Sequence, residues 1–443
     1  MRAASDWPIL KIGDSHHRAR SQIAPWLAII LWIGNYPQKE PRVPPASLNP
    51  LPYHVALCDF LKREEEKLWD WFASNKAKRE QADAVRFDLL KKTYRVEPPA
   101  DPALYEAASD AAQALGIDVP ITIYQAQSPE VLNAGLAYVP GEAHIILSGP
   151  VKATFDATEL RALMGHELAH FILWDSWNGE HLVADQVLAA LTHDEQAMPA
   201  HHESARLINL YNEIYCDRGS LAVVHDPLIA ISMLVKVTTG LNEVNAASYL
   251  RQAEEILSKE GGKSTGSTHP EAYVRARSVQ LFSDGGEDVE DQIAGMIEGS
   301  LTLDGLDLLQ QQRVSGLTRR LIDAMLAPRW LQTELTLGHA KLYFPGYTPA
   351  DEGELERLTS DLKTPDAALE DYYCYVLLDF VAADRELEEA PLAAALALVE
   401  RLGLKERFAT IAKKELRLTK KQFDQIDRNR DVLLSQAIEE KTA

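Results

Sequence analysis

Cysteine is scarce in this chain: Cys58, Cys216 and Cys374 stand far apart among 443 residues, and no Cys-x-x-Cys pair occurs. An odd, scattered set excludes a disulfide framework and a zinc ribbon, and it points to a reducing compartment. Long apolar runs are missing too. The longest, Trp26 to Ile33 and Leu392 to Val399, are eight residues each, against roughly 20 for a bilayer span. The basic stretch His16, His17, Arg18 and Arg20 precedes the first run, but Gly34-Asn35-Tyr36-Pro37 follows it, where a signal peptide would carry a small-x-small cleavage site. The expectation is a soluble, cytoplasmic protein. Positive charge is short as well: 45 Lys and Arg against 66 Asp and Glu leave a net charge of −21. Such a body repels phosphate backbones and anionic membrane surfaces, which argues against nucleic acid as a partner.

What remains is ordinary globular material, 46% hydrophobic and 25% charged. At about 150 residues per domain it makes two or three units. Residues 1–52 are rich in Pro and Arg, show no sustained period and read as a poorly structured tail. From Tyr53 the apolar positions Leu57, Phe60, Leu61, Leu68 and Phe72 recur at helical spacing. A helix is expected over 101–115, then two short strands at 121–124 and 143–147, β-branched and bounded by Pro and Gly. Further helices are expected from Asp156, over 203–224, 227–237 and 246–257, and from Pro270. Gly261 to Gly266 reads as a flexible break, and Asp284-Gly285-Gly286-Glu287-Asp288 as a domain edge.

One helix carries chemistry. Asp156 and Glu159 have capping-box spacing, and Phe155 and Leu160 the spacing of a hydrophobic staple. Within it His166 and His170 are four apart and share a face, so both rings can ligate one Zn²⁺, with Glu167 beside them able to reach a water. The pattern is His-Glu-x-x-His. A catalytic zinc needs a third protein ligand and an open position. Glu213 and Asp217 share a face of a later helix; Glu213 can supply that ligand, and Asp217 can accept the free ring N–H of a ligand histidine. Read alone, this pair is better described as an exposed acidic helix face; beside His-Glu-x-x-His the ligand reading is the stronger.

His166-Glu167-Leu168-Ala169-His170, then Glu213-x-x-x-Asp217-Arg218, then Thr268-His269-Pro270 with Arg275 six residues after the histidine, resembles the HtpX and CAAX-prenyl-endopeptidase family of gluzincin metallopeptidases. Asn133-Ala134, the turn at Pro140-Gly141 and Ala143 to Leu147 look like that family's edge hairpin, on which substrate is laid as an added strand. The likeness runs from about residue 53 to 282. It implies one Zn²⁺ per chain held by His166, His170 and Glu213, with Glu167 as general base and acid. It further implies that Asp217 orients His166, that Arg275 supports the ligands from behind, that His269 helps stabilise the oxyanion, and that Asn133 and Ala134 bind substrate. Without the family, Thr268-His269-Pro270 is simply a helix start with Pro at its first position. The histidines between the two zinc helices, His181, His193, His201 and His202, read as lying on a surface connection.

Near the C-terminus, Asp371 to Gly403 is weakly similar to TerB-like helical domains. Their acidic loop has Asp-Gly-Glu where this chain has Asp384-Arg385-Glu386, so no metal is assigned to Asp384, Glu386 or Glu389. The resulting expectation is a predominantly helical α+β protein. A minigluzincin metallopeptidase domain with a small edge-strand sheet covers 53–285, a helical connector 286–340, and a helical TerB-like accessory domain 341–443 that offers a protein partner a surface. The expected activity is zinc-dependent endopeptidase action on a peptide or protein substrate. The alternatives are a metal-containing chaperone or scaffold, or a TerB-type stress protein acting by binding.

Overall fold

The computed structural model describes residues 48–75, 79–127, 131–260, 263–350, 355–362 and 366–442. The reading of a loose tail falls, for residues 1–47, outside the described residues. The chain divides into two compact units between Gly299 and Ser300, and the architecture is a predominantly helical α+β fold.

The first unit begins with α1 (Pro52–Glu64), α2 (Glu66–Asn75) and α3 (Arg79–Lys92). Leu48 and Leu51, just ahead of α1, are fully buried, and the Leu48 carbonyl accepts a hydrogen bond from Tyr215 Oη at 3.0 Å. Strand β1 (Thr93–Val96) leads into α4 (Pro102–Ala114), which stops at Gly116 with φ +66° as its sequence predicts. Strands β2 (Ile121–Ala126), β3 (Asn133–Val139) and β4 (Glu142–Ser148) complete a sheet of order β1-β2-β4-β3. The expectation of two strands is thus enlarged to four. β3 and β4 form a hairpin with Val139 opposite Glu142, and Gly141 takes the positive φ its tight turn requires. β2 runs parallel to β4, and β3 is left at the sheet edge.

Short α5 (Val151–Thr154) precedes the central helix α6 (Ala157–Asp175). Asp156 accepts hydrogen bonds from the Thr158 and Glu159 amides, and Glu159 reaches back to the Asp156 amide, so the capping box forms as expected. Thirteen residues of α6 are buried, and burial on nearly every side marks a core helix rather than an amphipathic surface one. Next come α7 (Glu180–His193), α8 (Pro199–Val224), α9 (Pro227–Thr239), α10 (Ala246–Glu260), α11 (Ala272–Asp284) and α12 (Val289–Glu298).

Two expectations change here. The segment between α6 and α8 is more than a surface connection: it holds α7, where His181 is 6% exposed, and His201 and His202 sit inside α8, while His193 and His202 are exposed as expected. Pro270 does not open α11 either. Glu271 is the N-cap without a side-chain capping bond; its carboxylate instead accepts from the hydroxyls of Ser264 and Thr265 and from the Thr265 amide, which ties down the preceding loop. That loop, read from its glycines as a flexible break, is pinned from residue 263 onward; Arg206 on α8 also donates to the Ser264 and Gly266 carbonyls.

α6 and α8 touch through small residues. A Cβ on Gly165 would lie 2.7 Å from Val223 Cγ2, and one on Gly219 would lie 2.4 Å from Ala169 Cβ. Lys236 of α9 donates to Glu159 at 2.6 Å and to the Thr154 carbonyl at 3.1 Å, which locks α9 to the start of α6.

The second unit contains α13 (Leu308–Met325), α14 (Glu334–Tyr343), α15 (Leu355–Leu362), α16 (Ala367–Ala383), α17 (Ala390–Leu402), α18 (Lys405–Glu415), α19 (Lys420–Arg428) and α20 (Arg430–Thr442). Their core is aliphatic and aromatic, with Phe380 and Phe408 fully buried. Asp384 caps a short 3₁₀ turn by accepting the Glu386 amide at 3.0 Å, which gives that acidic side chain a local structural use.

Gly219→Ala should lower stability by about 1–3 kcal/mol, because neither helix can retreat without disturbing a packed core. Gly295→Ala on α12, where a Cβ meets open space, should instead raise it by about 0.5–1 kcal/mol. Urea denaturation of both variants checks the pair.

Candidate metal centre

The four-residue repeat of α6 aims His166, His170 and Trp174 from one face. The imidazole rings of His166 and His170 have centroids 5.2 Å apart, nearly perpendicular. From α8, Glu213 faces both: Oε2 lies 3.5 Å from His166 Nε2 and Oε1 lies 3.6 Å from His170 Nε2. Asp217, one turn on, places Oδ1 3.1 Å from His166 Nδ1, an ion-pair distance without the alignment of a good hydrogen bond. The acidic pair is therefore not an exposed helix face, since Glu213 and Asp217 are both buried.

Arg275 of α11 closes the site from behind. Its Nε and Nη2 donate to the two Asp217 oxygens at 2.8 and 2.6 Å, and Nη2 also stands 3.1 Å from Glu213 Oε2. His269, in the pinned loop, is 56% exposed at the mouth, with Nε2 3.4 Å from Glu213 Oε1 and Nδ1 2.9 Å from Thr268 Oγ1. Asn133 and Ala134 begin the edge strand β3, Ala134 opposite Leu147 and Asn133 opposite Ser148. The structure thus brings His166, Glu167, His170, Glu213, Asp217, His269 and Arg275 together, while Asn133 and Ala134 stand on the sheet edge.

Electrostatics separates the roles. Burial pushes the Glu167 carboxyl up to about 7. Burial favours the neutral form of Glu213 too, but Arg275 and the two imidazoles outweigh it and hold that carboxylate well below its usual range. Burial likewise opposes the charge on Asp217, and Arg275 again keeps it ionised. His166 would be lowered by burial, yet Asp217 and Glu213 raise it to about 10, whereas His170 is pushed down to about 4 by burial.

A cation fits this donor set. His166 Nε2 and His170 Nε2 both face the Glu213 carboxylate, at 3.5 and 3.6 Å, and Glu167 Oε2 beside them is buried without a hydrogen-bond partner among the described residues. Two ring nitrogens turned towards one carboxylate make a donor set suited to a divalent ion. A second candidate donor is present, for the Cys216 sulfur clusters with nitrogens of His166 and His170 within 4.8 Å. Burial raises the Cys216 thiol well above its ordinary range in the metal-free site, so a cation would have to displace its proton, whereas Glu213 is already ionised.

Reading the sequence missed several neighbours. Trp174 continues the spacing 166, 170, 174, and its ring lies over His170 with centroids 5.4 Å apart; that spacing was a usable signal. Behind α8, His54 Nε2 pairs with Asn212 Oδ1 at 3.0 Å and Cys58 Sγ meets His181 Nδ1 at 3.3 Å. Burial lowers His54 to about 3 and His181 to about 4, so both rings are neutral packing groups.

Residues 100–281 match the family described as Peptidase family M48. A curated relative, the plastoglobule-localized metallopeptidase 48, chloroplastic, of Arabidopsis thaliana, is 26% identical over 196 residues, covering 39% of this chain and 55% of that protein. The chain therefore spans about half the length of the curated relative it matches. No solved structure matches. The matched stretch holds strands β2, β3 and β4, α6, α8 and the part of α11 that carries Arg275, and it supports a metallopeptidase function for the first unit. It ends before the second unit begins. No helix among the described residues is long and apolar enough to cross a membrane.

Arg275→Met should destabilise the metal-free protein by about 3–5 kcal/mol, because it leaves two buried carboxylates uncompensated. Chemical denaturation in the presence of a chelator measures this. A loss below about 1 kcal/mol would mean that the clamp does not hold the site.

Proposed function

We propose that the first unit is a zinc-dependent endopeptidase, with His166, His170 and Glu213 holding one Zn²⁺ per chain and Glu167 as general base and acid. The observation that carries this reading is the convergence of two imidazoles on one buried carboxylate, with the buried carboxyl of Glu167 beside them. A zinc ion held there would supply a Lewis acid that polarises the scissile carbonyl and acidifies water. Glu167 takes the proton of the attacking water and returns it to the leaving amine, a task best done by a group that titrates near the working pH. Asp217 fixes the orientation of His166, and Arg275 keeps Asp217 and Glu213 charged while holding them in place.

His269 reaches the mouth from a loop that Arg206 and Glu271 secure, where its ring can donate to an oxygen gaining charge. Asn133 and Ala134 present the end strand of the sheet, whose free edge can accept an extended peptide as a further strand. The substrate class is accordingly an extended polypeptide segment. The C-terminal helical unit is read as an accessory module for a protein partner.

Glu167→Gln should retain one zinc per chain and lose about 10²- to 10⁴-fold in peptide hydrolysis. Metal analysis and cleavage of an unstructured peptide check this together. Zinc-loaded wild type that hydrolyses nothing would favour a binding role for the centre over catalysis.

A further inference from the structure

Beyond the metal and its helpers, the cleft carries an aromatic wall that none of the assigned roles uses. Trp174 lies one turn past His170, half-buried, its ring tilted only 31° from the imidazole plane. Across from it stands Tyr138, near the end of the edge strand β3, with ring centroids 6.1 Å apart, and Tyr138 also leans on Phe171 at 5.8 Å. Both rings are anchored by their polar ends. Trp174 Nε1 donates to Asp185 on α7 at 2.8 Å, and Tyr138 Oη donates to Asp175 at the end of α6 at 3.1 Å.

Anchoring at both polar ends has a consequence for recognition. Once the indole N–H and the phenol O–H are committed to fixed acceptors, what each ring still offers is apolar surface held in one orientation. Tyr138 lies opposite Ala143 and therefore points to the same side of the sheet as buried Ile145 and Leu147, the side that α6 covers. A peptide paired with the free edge of β3 sends every second side chain to that side. On such an added strand the side chain level with Tyr138 would approach Trp174, which packs edge-on against Tyr138 beside His170.

We propose that Trp174 and Tyr138 form a specificity subsite on the His170 flank of the cleft that takes a large apolar or aromatic substrate side chain close to the scissile bond. The inference rests on the endopeptidase reading and deepens it, because it names which substrates that centre accepts. A charged side chain is disfavoured there, since it would lose its water against two ring faces whose polar groups are already engaged. Trp174 and Tyr138 are thus specificity residues and take no part in proton transfer.

The test compares two peptides that differ only in having Phe or Ala at the preferred position, which is first located by sequencing the products of a mixed peptide pool. Zinc-loaded wild type should favour the Phe peptide in kcat/KM by about 10-fold or more. Trp174→Ala should remove most of that preference, and Trp174→Phe should keep it. If Trp174→Ala does not fold, Tyr138→Ala addresses the same wall from the strand side. Binding of both peptides to Glu167→Gln, with and without Trp174→Ala, reads the subsite independently of turnover. Cleavage by wild type with an unchanged Phe-to-Ala ratio in Trp174→Ala overturns the subsite alone. No cleavage of any pool peptide by zinc-loaded wild type overturns the endopeptidase reading, and the subsite with it.

Discussion

The close crossing of α6 over α8 is the constraint from which the rest of the first unit follows. The two imidazoles come from one helix and the proposed third donor, Glu213, from the other, so the distance between helix axes sets the size of the site. Gly165 and Gly219 permit that approach because a side chain on either would strike the opposite helix. A site built on two rigid core helices is positioned better than one built on loops. The capping box at Asp156 and the lysine that α9 sends to Glu159 fix where α6 starts, and hence which face it turns towards α8.

Such a crossing buries charge, and Arg275 is what makes that tolerable. A carboxylate taken from water without a partner is costly, and here two of them share one guanidinium: Asp217 in a two-point pairing and Glu213 at its edge. Glu167, without such a partner, goes the other way and holds its proton to about 7. The site therefore separates its carboxyl groups by environment alone, with two held ionised and one left near neutrality. That division suits the roles proposed for Glu213 as ligand, Asp217 as orienting group and Glu167 as proton carrier.

Much of this was legible in the sequence, for a local reason. Capping boxes, His-Glu-x-x-His and Glu-x-x-x-Asp are patterns within one or two helical turns, where spacing alone fixes the shared face. The start of α6, the stop of α4 at Gly116 and the β3–β4 turn at Gly141 were readable in the same way. What escaped depends on partners distant in the chain. β1 is short and becomes a strand by pairing with β2; the parallel pairing of β2 with β4 passes over the intervening β3. α7 lacked a clear capping signal, for its N-cap is Gly179 in the left-handed region with no side-chain bond, and its buried His181 looked like a surface residue. The wall of Trp174 and Tyr138 joins a helix to an edge strand, and periodicity in either segment says nothing about the other.

The account stands or falls on the identity of the third donor. Zinc affinity measured by competition with a chromogenic chelator, for wild type, Glu213→Gln and Cys216→Ser, tests this directly. Wild type should bind one zinc per chain, Glu213→Gln should lose more than about 100-fold in affinity, beyond what loss of an outer partner costs, and Cys216→Ser should stay close to wild type. Zinc that survives Glu213→Gln undiminished, or that is lost with Cys216→Ser instead, would contradict the geometry on which the proposed chemistry is built.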